Sequence, residues 1–455
     1  MVPIALGQLR RRPSAFAGLA AASFLAVAAV TLFGSLFAAD LAAPAPARAV
    51  AGPGLAVIAG AFGEIAVLVA FFVVVNALGF ALSRQHRELA LLRTVAATPR
   101  QVRRLVRGQV VATMLLVAGP AWVAGGIGAR RFLTALQERG MAAPEVQVPG
   151  TPVPMLVALA AALAVGLAAA AAAGRRISRI PPAAALGASA TESARTGPPR
   201  VVAGLVVLAG GGLLLRLAST RPPGELDKAG QAALLGALVL LVAVALLGPF
   251  AAGLLVAVLG APVRALAPGT GWLAEANLRG YARRLSSAVV PVALLVGLSG
   301  TMSIMTCTAG HAAGARTGSV TSATDMWLRQ AELALLICFA AVSTVNTLVA
   351  VTADRRREFA LLRLVGATRA QLVRMLTAEA VLTTVVGVAL GAAVAGAASA
   401  AFATAATGSL LPAVPVGACW WTVALATALT VPAVLIAGAR AVRGPAAELV
   451  GGGRD

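Results

Sequence analysis

Ten long apolar runs dominate this 455-residue chain, and several approach the roughly 20 residues that a helix needs to cross a bilayer core. They fall approximately at residues 16–38, 55–82, 109–129, 153–174, 201–218, 231–258, 286–307, 331–352, 378–402 and 418–439. Unpaired backbone groups are costly in hydrocarbon, so each run is predicted to be a helix. A membrane β-barrel would instead alternate polarity in segments of about ten residues, and no such alternation is present. Composition agrees: 59% of the residues are hydrophobic and only 12% charged, where soluble domains carry about 25%. The expected fold class is an all-α integral membrane protein of about ten transmembrane helices.

The formal charge of +21 raises the question of nucleic acid, and the positions of the basic residues answer it. With a cytoplasmic N-terminus, 28 of the 37 lysines and arginines fall in the inside segments and nine in the outside loops. That bias is the positive-inside pattern of an even number of spans with both termini in the cytoplasm. The excess charge therefore reads as topology and attraction to anionic lipid, with no nucleic-acid partner. Lysine occurs once, at Lys228, against 36 arginines, which suggests a GC-rich coding sequence and a bacterial cell membrane. Arg10, Arg11 and Arg12 precede an apolar run and an APARA stretch resembling a signal-peptidase site. The run from Ala15 to Ala39 exceeds the roughly 7–15 residues of a signal peptide, so a retained first span is expected. Cys307, Cys338 and Cys419 lack metal-ligand or paired spacing and are expected to be packing residues, with no metal site.

An internal repeat organises the chain. Residues 87–104 read RELALLRTVAATPRQVRR and residues 357–374 read REFALLRLVGATRAQLVR, at a constant offset of 270 with 11 of 18 positions identical. The offset also places Asn76 opposite Asn346 and Gln109 opposite Glu379. Gln8-Leu9-Arg10 resembles Asn277-Leu278-Arg279, and PAAAL at 182–186 resembles PAAEL at 445–449. The chain thus divides into a four-span unit at 1–190, a linker with spans five and six at 191–269, and a second four-span unit at 270–455. Each unit begins and ends on the same side, so the two four-helix repeats are expected to be parallel, with the two intervening helices between them.

Each repeated loop is built as an elbow. Gly366 is suited to end a helix in the left-handed conformation. Thr98 with Gln101, and Thr368 with Gln371, have the spacing of a capping box that starts the next helix. Pro99 suits the first helical position. The prediction is a helix leaving the membrane through RELALLR, a tight corner and a second helix returning. Arg100, Arg103, Arg104 and Arg107 would form a basic face on the returning helix. The pairs Leu91–Leu92 and Leu361–Leu362 remain for packing against membrane helices or a protein groove. An interfacial elbow serving lipid alone would accept almost any basic amphipathic sequence. Two near-identical copies on parallel halves instead imply a partner with two equivalent grooves.

These residues resemble the FtsX-like ABC transporter permeases, in which a motif of the form RELALLRAxGAT-x-x-Q occupies this loop. The resemblance covers both four-span units. It implies that Arg87, Glu88, Leu91, Leu92, Arg93, Thr98, Gln101 and Arg104, with Arg357, Glu358, Leu361, Leu362, Arg363, Gly366, Thr368, Gln371 and Arg374, form coupling loops for a cytoplasmic ABC ATPase present in two copies. ATP and Mg would then sit on that partner, and this chain would bind no cofactor. Residues 39–54 and 308–329 leave room only for short outer loops, unlike relatives with a large extracytoplasmic domain, and Ala96 replaces the motif glycine in the first copy.

No catalytic residues are assigned. The sole lysine lies in GELDKAG, which is not a P-loop, and His86 and His311 stand beside no nucleophile or zinc motif. Charges within spans are costly, so Glu64 and Glu332 are noted as a possible polar site with Asn76 and Asn346, and Glu379 as a third intramembrane acid. The asparagines suit hydrogen bonds between helices, and Gly387 with Gly391 forms a GxxxG packing pair. The expected function is a permease subunit coupling a separate ATPase to export or extraction of a lipophilic or peptide-like substrate. Two alternatives stand beside it: a non-transporting subunit that transmits force to an extracytoplasmic partner, and an ion-coupled carrier using Glu64 and Glu332.

Overall fold

The computed structural model of the chain describes residues 13–44, 54–94, 98–178, 198–266, 268–280, 282–315, 323–353 and 355–442. Gln8–Arg10, Ala96, the 179–197 linker and the PAAAL and PAAEL segments lie outside the described residues. So do the side chains of Asn76, Arg87, Glu88, Leu91, Leu92, Arg93, Asn277, Arg279, Arg329 and Arg357.

Among the described residues the secondary structure is helical throughout. The helices are α1 (Pro13–Ala42), α2 (Leu55–Thr94), α3 (Pro99–Glu138), α4 (Val153–Ser178), α5 (Pro198–Ser219), α6 (Leu226–Leu266), α7 (Pro268–Gly280), α8 (Ala282–Ala315), α9 (Ala323–Ala353), α10 (Arg356–Leu364), α11 (Arg369–Thr407) and α12 (Val416–Val442). A short 3₁₀ turn, Pro223–Glu225, precedes α6. Among the described residues, eight of these helices are long and apolar enough to cross a membrane. In α2 and α4 the described residues cover the apolar stretches Leu55–Val67 and Val153–Ala168, parts of the longer apolar runs at 55–82 and 153–174. The chain is an all-α membrane protein, and large apolar side chains such as Leu116, Val123, Leu205 and Phe250 cover its exposed helix faces.

Packing divides the chain into two compact units, Met1–Thr191 and Glu192–Asp455. In the first, α1 packs against α2, α3 and α4. Far from the elbow between α2 and α3, Phe33, Phe62 and Phe132 interlock α1, α2 and α3 with ring centroids 5.3, 6.0 and 5.6 Å apart. In the second unit α8 takes the central place and is buried along nearly its whole span. Helix α11 lies closest to it because Gly387 and Gly391 remove the side chains that would collide. A Cβ at Gly387 would stand 2.6 Å from Val292 Cβ, and one at Gly391 would stand 2.8 Å from the Ala293 carbonyl oxygen. Small residues at such crossings let membrane helices gain close packing where no hydrophobic effect separates lipid from protein.

The two intervening helices, α5 and α6, pack with the second unit: α5 lies on α6, and α6 on α8 and α11. Within α6, Pro249 has no N–H for the carbonyl of Ala245. Arg200 of α5 supplies the missing donor, its Nη2 donating to the Ala245 carbonyl, and its Nε donates to the adjacent Leu246 carbonyl, both at 3.0 Å. Several threonine hydroxyls inside spans are met within their own helices, as where Thr301 donates to the Gly297 carbonyl and Thr384 to that of Ala380. Helix α7 corresponds to no apolar run. It is a 13-residue helix that buries Ala274 and Glu275 and exposes Trp272.

Candidate functional site

The elbow of the second unit is described in side-chain detail. Helix α9 ends at Ala353, and Arg355 adopts a non-helical backbone (φ −91°, ψ 7°) that separates it from α10. The single outgoing helix expected here is therefore interrupted, whereas in the first unit α2 runs unbroken from Leu55 to Thr94. At the interruption Arg355 is held by two acids. The Arg355 guanidinium turns inward, forms a two-point ion pair with Glu379 of α11, one arm at 3.0 Å, and donates from Nε to Glu358 at 3.0 Å. Its Cζ also lies 4.9 Å from the centre of the Phe359 ring. The Arg355 and Glu379 side chains are only 7% and 5% exposed. Burial alone would weaken the guanidinium's hold on its proton, but the carboxylates of Glu379 and Glu358 outweigh it and raise the Arg355 pKa. Removing one partner of such a buried pair costs about 3–5 kcal/mol, although the intact pair adds little net stability.

Helix α10 then divides its faces. Phe359 is buried against Leu348, Leu372, Met375 and Leu376, with Leu362 packed beside them, and Ala360 is buried as well. Leu361, Leu364 and Val365 point away, at 45%, 55% and 88% exposed. Of the Leu361–Leu362 pair, only the first is offered outward. The corner beyond is a Schellman closure: the N–H of Ala367 donates to the Leu362 carbonyl and that of Gly366 to the Arg363 carbonyl. Gly366 holds φ at +101°, a conformation that a side chain disfavours. Thr368 starts α11 with the expected capping box: its N–H donates to Gln371 Oε1 at 2.9 Å, and its Oγ1 accepts from the Gln371 N–H at 3.2 Å. Arg374 is exposed on the first turns of α11, whereas Arg363 is half-buried and engaged.

The first unit repeats the returning half of this geometry. Thr98 and Gln101 form the same capping box at 2.8 and 3.3 Å, with Pro99 at the helix start. Arg100, Arg104 and Arg107 are exposed along α3 and Arg103 is half-buried, which gives the basic face expected there. At the same offset the second unit carries Ala370, Val373, Arg374 and Thr377, so the basic face belongs to the first unit.

The family model described as FtsX-like permease C-terminal matches residues 60–182 and 331–446, more than half of the chain. Each matched segment contains one elbow and the spans on either side of it. The chain belongs to the FtsX-like permease family. No curated protein matches it significantly. As an FtsX-like permease it is a multi-pass membrane component of an ABC-type system, and the family implies an ABC ATPase as its partner.

In this FtsX-like permease the intramembrane polar residues fall in both units. Glu64 is exposed on α2 in the first unit. Glu332 is half-buried and engaged on α9 of the second, and Asn346 is half-buried further along the same helix. Among the described residues no cluster of three metal-ligating side chains occurs. Sequence reading flagged Glu379 without a partner and passed over Arg355 entirely. The signal was present in the repeat: Arg355 and Glu379 stand at the offset positions of Gln85 and Gln109, so both members change together between the two copies.

Proposed function

We propose that this chain is the permease subunit of an ABC exporter or extractor, gripped at its two elbows by a pair of cytoplasmic ATPase subunits whose closure on ATP moves the membrane helices. The observation that carries the proposal is the apex of α10, where Leu361, Leu364 and Val365 stand exposed on a corner fixed by a Schellman closure and a capping box. Membrane helices have no need of a rigid polar corner that presents bare apolar side chains, whereas a docked protein groove does. The duplicated motif supports two equivalent grips, and hence two ATPase copies. ATP and Mg bind on that partner, and this chain supplies neither a phosphate-binding loop nor a hydrolytic residue. Both termini then lie in the cytoplasm, with the protein in a bacterial inner membrane, as the basic-residue bias supports.

The cargo best suited to spans with so few polar groups is lipophilic or peptide-like, and the short outer loops favour movement of cargo over signalling to an extracytoplasmic partner. Capture of the cognate ATPase by wild type and by a variant carrying Leu91→Asp and Leu361→Asp tests the docking. A charge at the centre of each grip is expected to cost about 2 kcal/mol or more, roughly thirtyfold in affinity. Equal capture by two equally well-inserted proteins overturns the assignment.

A further inference from the structure

We infer that Arg355 and Glu379 are a positioning pair that carries the movement of α10 into the membrane span α11, and that their ion pair, beyond the surrounding packing, makes the second elbow a tight mechanical link. The inference rests on the reading of the elbow as the handle for the ATPase. One guanidinium joins three elements: Arg355 closes the end of α9, holds Glu358 in the first turn of α10 and holds Glu379 about three turns into α11. The pair spans 24 residues of sequence and is buried at both ends. The packing beside it is incomplete, because a cavity of about 40 Å³ adjoins the pair, lined by Leu278, Leu285, Leu348, Thr352 and Val434. A cavity of that size holds about a water or two, so apolar contact does not fill the joint at the point where the pair bridges it.

The repeat argues that the charges serve more than folding. Gln85 and Gln109 replace them in the first unit, and Gln109 is likewise buried, 2% exposed. A neutral pair at these positions is thus compatible with an elbow in this same chain. A buried ion pair adds little net stability, but its two-point geometry resists displacement in direction as well as distance. The second elbow carries that constraint.

The test uses full-length permease reconstituted with its ATPase in lipid nanodiscs, and compares wild type with Arg355→Gln plus Glu379→Gln. That variant copies the first unit's residues and leaves no orphaned charge. Capture of the ATPase is expected to stay within about twofold and the KM for ATP to be unchanged, while the permease-dependent stimulation of kcat falls roughly fivefold or more, the range of a genuine coupling energy. Unchanged stimulation, or a fall in capture that accounts for the lost stimulation, overturns the inference. Arg355→Lys, which keeps the charge but loses the two-point fork, is expected to lose part of the stimulation at full capture. It supplies the same reading if the double variant does not accumulate, and failure of both to accumulate also overturns the inference, since the pair would then serve folding. Leu361→Asp measured alongside separates the two readings: if capture survives it, the docking assignment fails, whereas stimulation compared at equal capture reports on the pair alone.

Discussion

At the scale of single residues, the second elbow depends on Gly366 more than on any leucine. With φ at +101°, its replacement by alanine is expected to cost about 1–2 kcal/mol, confined to the corner. Hydrogen exchange at the amides of Val365, Gly366 and Ala367 should then quicken roughly tenfold, while amides in the middle of α11 keep their protection. Uniform quickening along α11 would show that the corner is not an independent unit. The corner was legible from the sequence because its chemistry is local: a threonine, a glutamine three residues on and a glycine before them suffice to specify it. Arg355 was not, because its partner lies 24 residues away and only the fold brings them together. Leu361 and Leu362 looked equivalent as neighbours in a motif, and only the burial of Phe359 and Ala360 decides which of the two faces outward.

At the scale of elements, hydropathy located the membrane helices but not their ends. Helix α2 continues to Thr94 and α11 begins at Arg369, well beyond the apolar runs, because a helix already nucleated in the membrane extends through polar residues at little further cost. Helix α7 escaped for the opposite reason, being too short and too polar to register as a span. The attachment of α5 to α6 was equally hidden, since it turns on one arginine repairing a proline. Arg200→Met should leave the Ala245 carbonyl short of a donor and lower stability by about 1–3 kcal/mol, read as an earlier thermal transition in nanodiscs. Pro249→Ala restores an N–H to the ladder, so adding it to Arg200→Met should recover part of the loss. If the second change brings no recovery, Arg200 is acting on something other than the interrupted helix.

At the scale of the whole molecule, the topology proposed from the basic-residue bias puts both elbows on one side of the bilayer. In a background free of its three cysteines, a cysteine at Val365 should react with a membrane-impermeant maleimide only from the cytoplasmic face. One at Leu410, exposed in the loop between α11 and α12, should react only from the opposite face. Labelling of both from one side would break the even-span topology and with it the mechanism. The same exposed apex bears on how the complex is made. If the apex is the proposed grip, a permease inserted ahead of its motor offers the cytosol a sticky knob of leucine and valine, which unpartnered copies can hide only against each other or against a chaperone. Matched production of the two subunits is therefore a condition for orderly assembly, and surplus permease is the species to look for among aggregates and degradation products.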